Sequence, residues 1–363
     1  MAAPRVLVVG AGLIGTSIGL AAGARGARVS LVDADPSRVA LAVTMGAGAS
    51  WQESEPVELV VVAAPPDIVG SLCVDLLRGQ ENAIVTHTCS VQVPSLVEVE
   101  TQVADASRFV GSHPIAGREV SGPAAASGEL FVDRPWAICP GPQTSADAVA
   151  GVDTLARLCG AHPVVLPPHD HDRLLATLSH APQIVASALA ATVAEVPADA
   201  VGLSGSGMRD TTRLADSDPQ LWGQIAAANA AAVAEALRAV AAPLLEVAAA
   251  LETGRPDAAR ATVEELLRRG RSGRALLPGK HGRAPVALAT VHCAVPDSPG
   301  ALARLLAEIA ADEVNVEDLR VEHAPGQPVG VAELAVQPAD RDRLLSTLRA
   351  HGWAATAGAD ESL

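Results

Sequence analysis

Apolar residues in the first 170 positions fall into short unbroken blocks. RVLVV (5–9), ELVVVAAP (58–65), AIVTHTCS (83–90) and SRFVGSHP (107–114) are the clearest. Unbroken blocks, rather than alternating ones, predict strands covered on both faces, as in a parallel sheet flanked by helices. The first block runs into GAGLIG, then the small-residue stretch TSIGLAAGARG, then a second strand, ARVSLVD. Strand, glycine turn, helix, strand is a βαβ unit. The spacing therefore predicts a doubly wound α/β domain over 1–170, closed by VVLPPHD.

After residue 170 the period changes. Residues 171–275 are rich in alanine and leucine at helical spacing, as in PQLWGQIAAANAAAVAEALRAVAAPLLEVAAAL. An all-α second domain is expected. Its alanines let helices approach closely, which suits a packed bundle or an intertwined dimer core. The stretch RSGRALLPGKHGRAP (271–285) is rich in glycine, proline and basic residues, and 276–285 reads as a linker. Residues 286–363 then alternate strand, helix, strand, strand, helix, strand, from VALATVHCAV to WAATAG. That βαββαβ order is ferredoxin-like.

Composition narrows the function classes. Hydrophobic residues make up 49% of the 363 positions and charged residues 18%, so the chain folds around large cores. Its formal net charge is -15 and no Lys/Arg cluster stands out, which argues against nucleic acid and anionic membranes as partners. No apolar run approaches the roughly 18–20 residues of a membrane span, and the opening MAAPRVLVVGAGLIG reads as a first strand, not a leader. The five cysteines, Cys73, Cys89, Cys139, Cys159 and Cys293, form no C-x-x-C pair. Scattered free thiols fit a reducing, cytoplasmic setting. His169 and His171 flank Asp170, but without further ligands at metal spacing, so no metal is expected.

Gly10, Gly12 and Gly15 form G-x-G-x-x-G between a predicted strand and helix. The first glycine permits a tight turn, the second a close approach to a pyrophosphate, the third close helix–strand packing. The helix start at Leu13 and Ile14 presents free N–H groups to phosphates. Asp33 ends the second strand, 18 residues after Gly15, where a carboxylate accepts from the adenosine ribose. Ala34, not an arginine, follows, so NAD is expected over NADP. Ala64 and Pro65, at the end of the next block, complete the expected cofactor rim. The first domain is thus of the Rossmann type.

Four polar stretches stand out as candidates for chemistry: THTCS with Ser90, GSHPIAGRE with His113 and Glu119, DRLLATLSHAPQ with His180 and Gln183, and GSGMRDTTRLADSDPQLW with Asp210, Arg213 and Trp222. Asp210 and Arg213 are three apart, one helical turn, so the acid is expected to hold the guanidinium as a carboxylate receptor. A structural salt bridge is the alternative reading of that pair.

At these residues the chain resembles the prephenate dehydrogenase family, with its arogenate dehydrogenase relatives. GAGLIGTSIGLA, VVAAPP, TCSV, GSHPIAGRE, SGELFVDRPWAICP, HDRLLATLSHAPQ and GMRDTTRLADSDPQLW carry the likeness in order over about residues 5–225. The last 70 or so residues resemble an ACT domain, with DSPGAL as its ligand-loop motif.

The resemblance implies an NAD-dependent oxidative decarboxylation of prephenate to 4-hydroxyphenylpyruvate, in tyrosine biosynthesis. It gives His113 the role of base, Ser90 that of its orienter, and Arg213, supported by Asp210, that of carboxylate clamp. Glu119, His180, Gln183 and Trp222 fall on pocket positions. It also implies a homodimer. Asp297, Pro299 and Gly300 precede a helix start, which suits an amino-acid carboxylate, with tyrosine the effector by pathway logic; a dimerisation module without a ligand is the alternative.

Three departures from the family pattern are visible. His87 stands where many relatives carry Asp, Gln92 where they carry Lys, and Gln183 where they carry a second histidine. The last of these leaves arogenate, and less readily 4-amino-4-deoxyprephenate, as alternative substrates. Arg118 has no assigned role. Two other classes compete: a dehydrogenase of small β-hydroxy acids, and a non-catalytic NAD or amino-acid sensor. The former uses a lysine on its helical domain, and this chain has none between Asp172 and Gly270.

Overall fold

The computed structural model describes residues 4–53, 56–117, 120–277, 288–323 and 327–358. The chain divides into two compact units, 1–253 and 254–363.

The first unit opens with β1 (Arg5–Val9), α1 (Leu13–Ala24), β2 (Arg28–Val32), α2 (Pro36–Thr44), the short β3 (Ala49–Ser50) and β4 (Leu59–Val62). It continues with α3 (Val69–Gly79), β5 (Ile84–His87), α4 (Val93–Gln102), β6 (Phe109–Pro114), β7 (Pro135–Cys139), α5 (Ala146–Leu158) and β8 (His162–Val165). These strands form one eight-stranded sheet in the order β3-β2-β1-β4-β5-β6-β7-β8. The expectation of buried parallel strands holds for β1, β2, β4, β5 and β6. The sheet is nonetheless mixed, because β7 pairs antiparallel with β6 and β8 then runs parallel to β7. The predicted strand 83–90 ends early, at His87, where the imidazole turns back to bond Cys89 N–H at 3.1 Å.

The two sheet faces carry separate cores. Val6, Val8, Leu31, Phe131, Trp136 and Val152 pack on the α1/α5 side. Leu7, Val60, Val62, Val74, Val85 and Phe109 pack on the α3/α4 side. Alternation along β1 sends Val6 and Val8 one way and Leu7 the other, as a pleated strand requires.

Helices follow: α6 (Pro168–Leu175), a π turn (Ala176–His180), α7 (Ala181–Thr192), α8 (Ser206–Thr212), α9 (Pro219–Ala228) and α10 (Ala230–Glu252). The π turn has a local cause. Pro182 has no N–H to give and its ring clashes with the carbonyl four residues back, so the helix widens ahead of it. The continuous helix 168–195 is long and apolar enough, by composition, to cross a bilayer. Four of its polar members, His171, Asp172, His180 and Gln183, are buried within the unit.

In the second unit α11 (Pro256–Arg274) precedes β9 (Ala289–Pro296), α12 (Ala301–Ala311), β10 (Val316–His323), β11 (Val329–Val336), α13 (Arg341–Ala350) and β12 (Ala355–Ala357). The helical stretch expected to reach 275 is therefore divided at residue 253, and α11 groups with the C-terminal unit. Ala259 is the only buried residue along it. Residues 278–287, most of the expected linker, lie outside the described residues. The four strands form an antiparallel sheet in the order β10-β11-β9-β12. Its core is Val291, Cys293, Leu305, Ile309, Leu334, Leu344 and Leu348.

Candidate active site

The glycine turn lies between β1 and α1. Gly10 has φ +105°, and a Cβ there would sit 2.2 Å from Ala63 O; one on Gly15 would sit 1.9 Å from Gly10 O. Only glycine lets the three backbone segments touch. Gly12 differs, since a Cβ there meets nothing within 4 Å. The space over Gly12 is open, as a pyrophosphate cradle must be. Gly12 also caps α1 without a side chain, so no cap side chain covers the first-turn N–H groups at Leu13 and Ile14. Asp33 is held at this turn, its Oδ2 accepting from Ala11 N–H at 2.7 Å and its Oδ1 from Asp35 N–H at 2.8 Å. Ala64 is half-buried and Pro65 exposed just beyond β4, alongside Gly10. These residues fit a dinucleotide.

His113 lies one residue from the end of β6. Its Nδ1 is 3.1 Å from His171 Nε2, and the rings meet edge to face. His171 Nδ1 is 2.8 Å from Asp172 Oδ1. Asp172 in turn accepts from Gln92 N–H at 2.8 Å and Val93 N–H at 2.9 Å, so it caps α4. Asn229 Nδ2 donates to Asp172 O at 2.7 Å and to His180 Nδ1 at 3.3 Å. His180 is therefore protonated at Nε2, and that atom is buried with no hydrogen-bond partner among the described residues. An orphaned buried donor marks a place for a ligand oxygen. The Trp222 ring stands edge-on to His180 at 6.1 Å.

A second lock sits behind His113. Cys89 N–H donates to His87 Nδ1, so His87 carries its proton on Nε2 and donates it to Ser95 Oγ at 2.7 Å. Ser95 Oγ donates onward to Gln92 O at 2.9 Å, and Gln92 Nε2 to Cys89 O at 2.6 Å. His87 and Gln92 thus fix the loop that carries Ser90.

Burial pushes His87 down to about 4, with His171 adding to the shift and Asp172 opposing it. Burial likewise takes His180 to about 4, against the pull of Asp172. His113 is lowered well below the usual imidazole range by burial, and then by the neighbouring His171, His180 and His87.

The expected residues are not all placed as the sequence suggested. Ser90 is half-buried in the loop after β5, but the described bond of His113 goes to His171. Asp210 and Arg213 do not share a helix: α8 ends at Thr212, Arg213 opens the next 3-10 turn, and the described ion pairs include no contact between the two. The one-turn spacing crosses a helix end, so the expected brace of the guanidinium by Asp210 is absent from the described contacts. Gln183 spends both ends of its amide on the chain, donating to Leu214 O at 2.7 Å and accepting from Ser217 Oγ at 3.3 Å. It fixes the turn after Arg213 instead of facing open space. Glu119 and Arg118 lie outside the described residues. His171, Asp172 and Asn229 were not singled out as site residues from the sequence. A His-Asp pair opening an otherwise apolar helix was the available signal.

A glycine turn with an acid at the end of β2, on the same sheet edge as a histidine cluster, fits an NAD-dependent dehydrogenase. Comparison with known proteins makes the assignment specific. Residues 18–165 match the family described as prephenate dehydrogenase, nucleotide-binding domain, and 167–267 match prephenate dehydrogenase, dimerization domain. The probable prephenate dehydrogenase NovF of Streptomyces niveus is 35% identical over 356 residues, 96% of this chain and 98% of that protein. Prephenate dehydrogenase of Bacillus subtilis (strain 168) is 26% identical over 353 residues, 93% of each. Among solved structures, prephenate dehydrogenase of Aquifex aeolicus, in complex with hydroxyphenyl propionate and NAD+, superposes with a TM-score of 0.68 at 24% identity, covering 75% of this chain and 99% of that one. Synechocystis arogenate dehydrogenase gives 0.62 at 25% identity, covering 74% and 98%. The chain belongs to the prephenate dehydrogenase family.

Two outcomes follow from the geometry. Gly12→Ala should leave the melting temperature of the free protein unchanged and weaken NAD binding by tenfold or more, whereas Gly10→Ala should lower the melting temperature itself. Thermal melts with NAD titration by calorimetry separate them. Second, His87 and His180 have folded pKa values below the unfolded one of 6.5. Between those values the unfolded chain binds more protons, so stability is full above pH 6.5 and falls as pH drops toward 4. Melts across that window should show the loss, and His87→Gln should flatten it.

Proposed function

We propose that the protein carries out the NAD-dependent oxidative decarboxylation of prephenate to 4-hydroxyphenylpyruvate, with His113 as base. The observation that carries this is His113 itself: a neutral, partly exposed imidazole at the end of β6, on the carboxyl edge that also holds the glycine cradle. Gly10, Gly12, Leu13, Ile14, Gly15, Asp33, Ala64 and Pro65 would hold the cofactor. NAD held there would supply the acceptor for the hydride that leaves C4 of the substrate ring. His113 takes the C4 hydroxyl proton as that oxygen becomes a carbonyl. The ring carboxylate departs as CO2, its bond electrons aromatise the ring, and the phenolic oxygen recovers the proton from His113. The base ends as it began.

His180 contributes its Nε2–H as a donor to a substrate oxygen, with Trp222 as the apolar wall beside it. Arg213 receives a substrate carboxylate, since a guanidinium fork matches its geometry. Ser90 is read as a further pocket residue, and the role expected of Glu119 falls outside the described residues.

Arogenate, which carries an alanyl in place of the pyruvyl side chain, is the second reading, favoured by the likeness to the Synechocystis enzyme. Gln183, with its amide engaged by Leu214 and Ser217, does not decide between the two. The protein is read as a cytoplasmic homodimer. Leu244, Leu245 and Leu251 lie exposed on α10, inside the match to the dimerization domain. The C-terminal unit is read as an ACT-like regulatory domain. Its strand order and two helices support this, and Gly300 turns the chain into α12 with φ +83°. Asp297, Pro299 and Gly300 would form the effector loop, with tyrosine as the effector.

The test is NADH formation from prephenate and from arogenate, each with and without tyrosine. Turnover of prephenate, reduced by tyrosine, is expected; no NADH from either substrate would overturn the reading. His113→Asn should lower kcat on the order of 10² to 10⁴ with NAD binding retained, and Arg213→Ala should chiefly raise KM. Steady-state kinetics of both variants check this.

A further inference from the structure

The line Asp172–His171–His113 has a direction that its hydrogen bonds determine. Asp172 is 5% exposed and its oxygens accept two backbone N–H groups at the start of α4. An acceptor of that kind, 2.8 Å from His171 Nδ1, requires the proton of that contact to lie on His171. With that single ring proton His171 has a bare Nε2, and the atom 3.1 Å away, His113 Nδ1, is the donor. His113 Nε2 is left unprotonated, and it makes no hydrogen bond among the described residues.

We propose that His171 and Asp172 are positioning residues that hold His113 as its Nδ1–H tautomer, so that the Nε2 lone pair is always presented to the substrate hydroxyl. This rests on the reading of His113 as the base. Neutral imidazole has two tautomers, and only one of them can accept a proton on the open edge. A second-shell partner that fixes the tautomer also fixes the ring plane. As Nε2 takes the proton, the positive charge on His113 faces Asp172 across His171, which offsets part of the cost of a cation in this partly buried place. Among the described residues, the other titratable groups that act electrostatically on the ring are His180, from the π turn, and His87, from β5. Both bind neutral, hydrogen-bonded, and with their own tautomers fixed, so neither supplies that compensation.

Asp172→Asn is the decisive variant. Asparagine caps a helix about as well as aspartate. Oδ1 accepts from both Gln92 N–H and the His171 ring, and Oδ2 from Val93 N–H. An amide oxygen in the Oδ1 place keeps the first two contacts, so the variant loses chiefly the negative charge that faces the His113 cation. We expect kcat to fall on the order of 10² to 10⁴, as for the equivalent change in other acid–base triads, while KM and the NAD dissociation constant stay within about threefold. Nitrogen-15 NMR of histidine-labelled full-length protein reads the tautomer directly, the His113 signals being those lost in His113→Asn. The wild type should show a protonated Nδ1 and a bare Nε2.

A wild-type His113 protonated at Nε2 would overturn the proposal, whether or not the variant folds. So would an Asp172→Asn protein with kcat within a few-fold of wild type. A wild type with the expected tautomer that turns over neither prephenate nor arogenate would sink the substrate reading and leave the positioning role of His171 and Asp172 standing.

Discussion

The Asp172 carboxylate is the joint of the catalytic unit. It is buried, so each oxygen must be satisfied or the cost is several kcal/mol. Three N–H groups from three places meet that demand: the backbone of Gln92 and Val93, and the ring of His171. The Asp172 carbonyl adds a fourth tie, to Asn229 at the start of α10. One residue thus joins the β5–α4 loop, the first turn of α6 and the helical bundle. Everything that converges on the pocket is reached from it in one or two hydrogen bonds: His113 through His171, and His180 through Asn229.

How much of this was legible beforehand depends on the distance over which each interaction acts. The glycine turn and Asp33 are local features. A strand, three glycines and an acid at fixed spacing specify them, and the structure binds Asp33 to Ala11 just as that geometry demands. The βαββαβ order of the C-terminal unit was likewise readable, because turn residues and apolar periods mark each element. The run His171–Asp172 was not. Its partners are about 60 to 80 positions away in sequence, at His113, Gln92 and Val93, and no period or spacing links a helix start to a strand end. Asp210 and Arg213 show the limit of local spacing. Their spacing is right for a helix pair, but the helix stops between them.

His87 and Gln92 show how a polar interior is kept without charge. A buried carboxylate and ammonium at two such places would each need compensation. A neutral imidazole, a hydroxyl and an amide instead pass hydrogen bonds around the loop, from Cys89 to His87 to Ser95 to Gln92 and back to Cys89. The loop that carries Ser90 is therefore closed on itself, and its geometry is insensitive to pH until the imidazole is forced to protonate.

The π turn at Ala176–His180 has a consequence for the length of this chain. A π turn holds one more residue than the α-helical turn it replaces. Everything after it is rotated by about 100° from where an unbroken helix would place it. The helix that begins with His171 and Asp172 can for that reason present Gln183 to the turn at Leu214 while His180 still closes on Asn229. The stretch is thus tolerant of changes in side chain on its outer face but intolerant of a change in count. Removing a single residue between Ala176 and His180 would swing α7 by a quarter turn and dismantle the pocket from a position that touches no substrate.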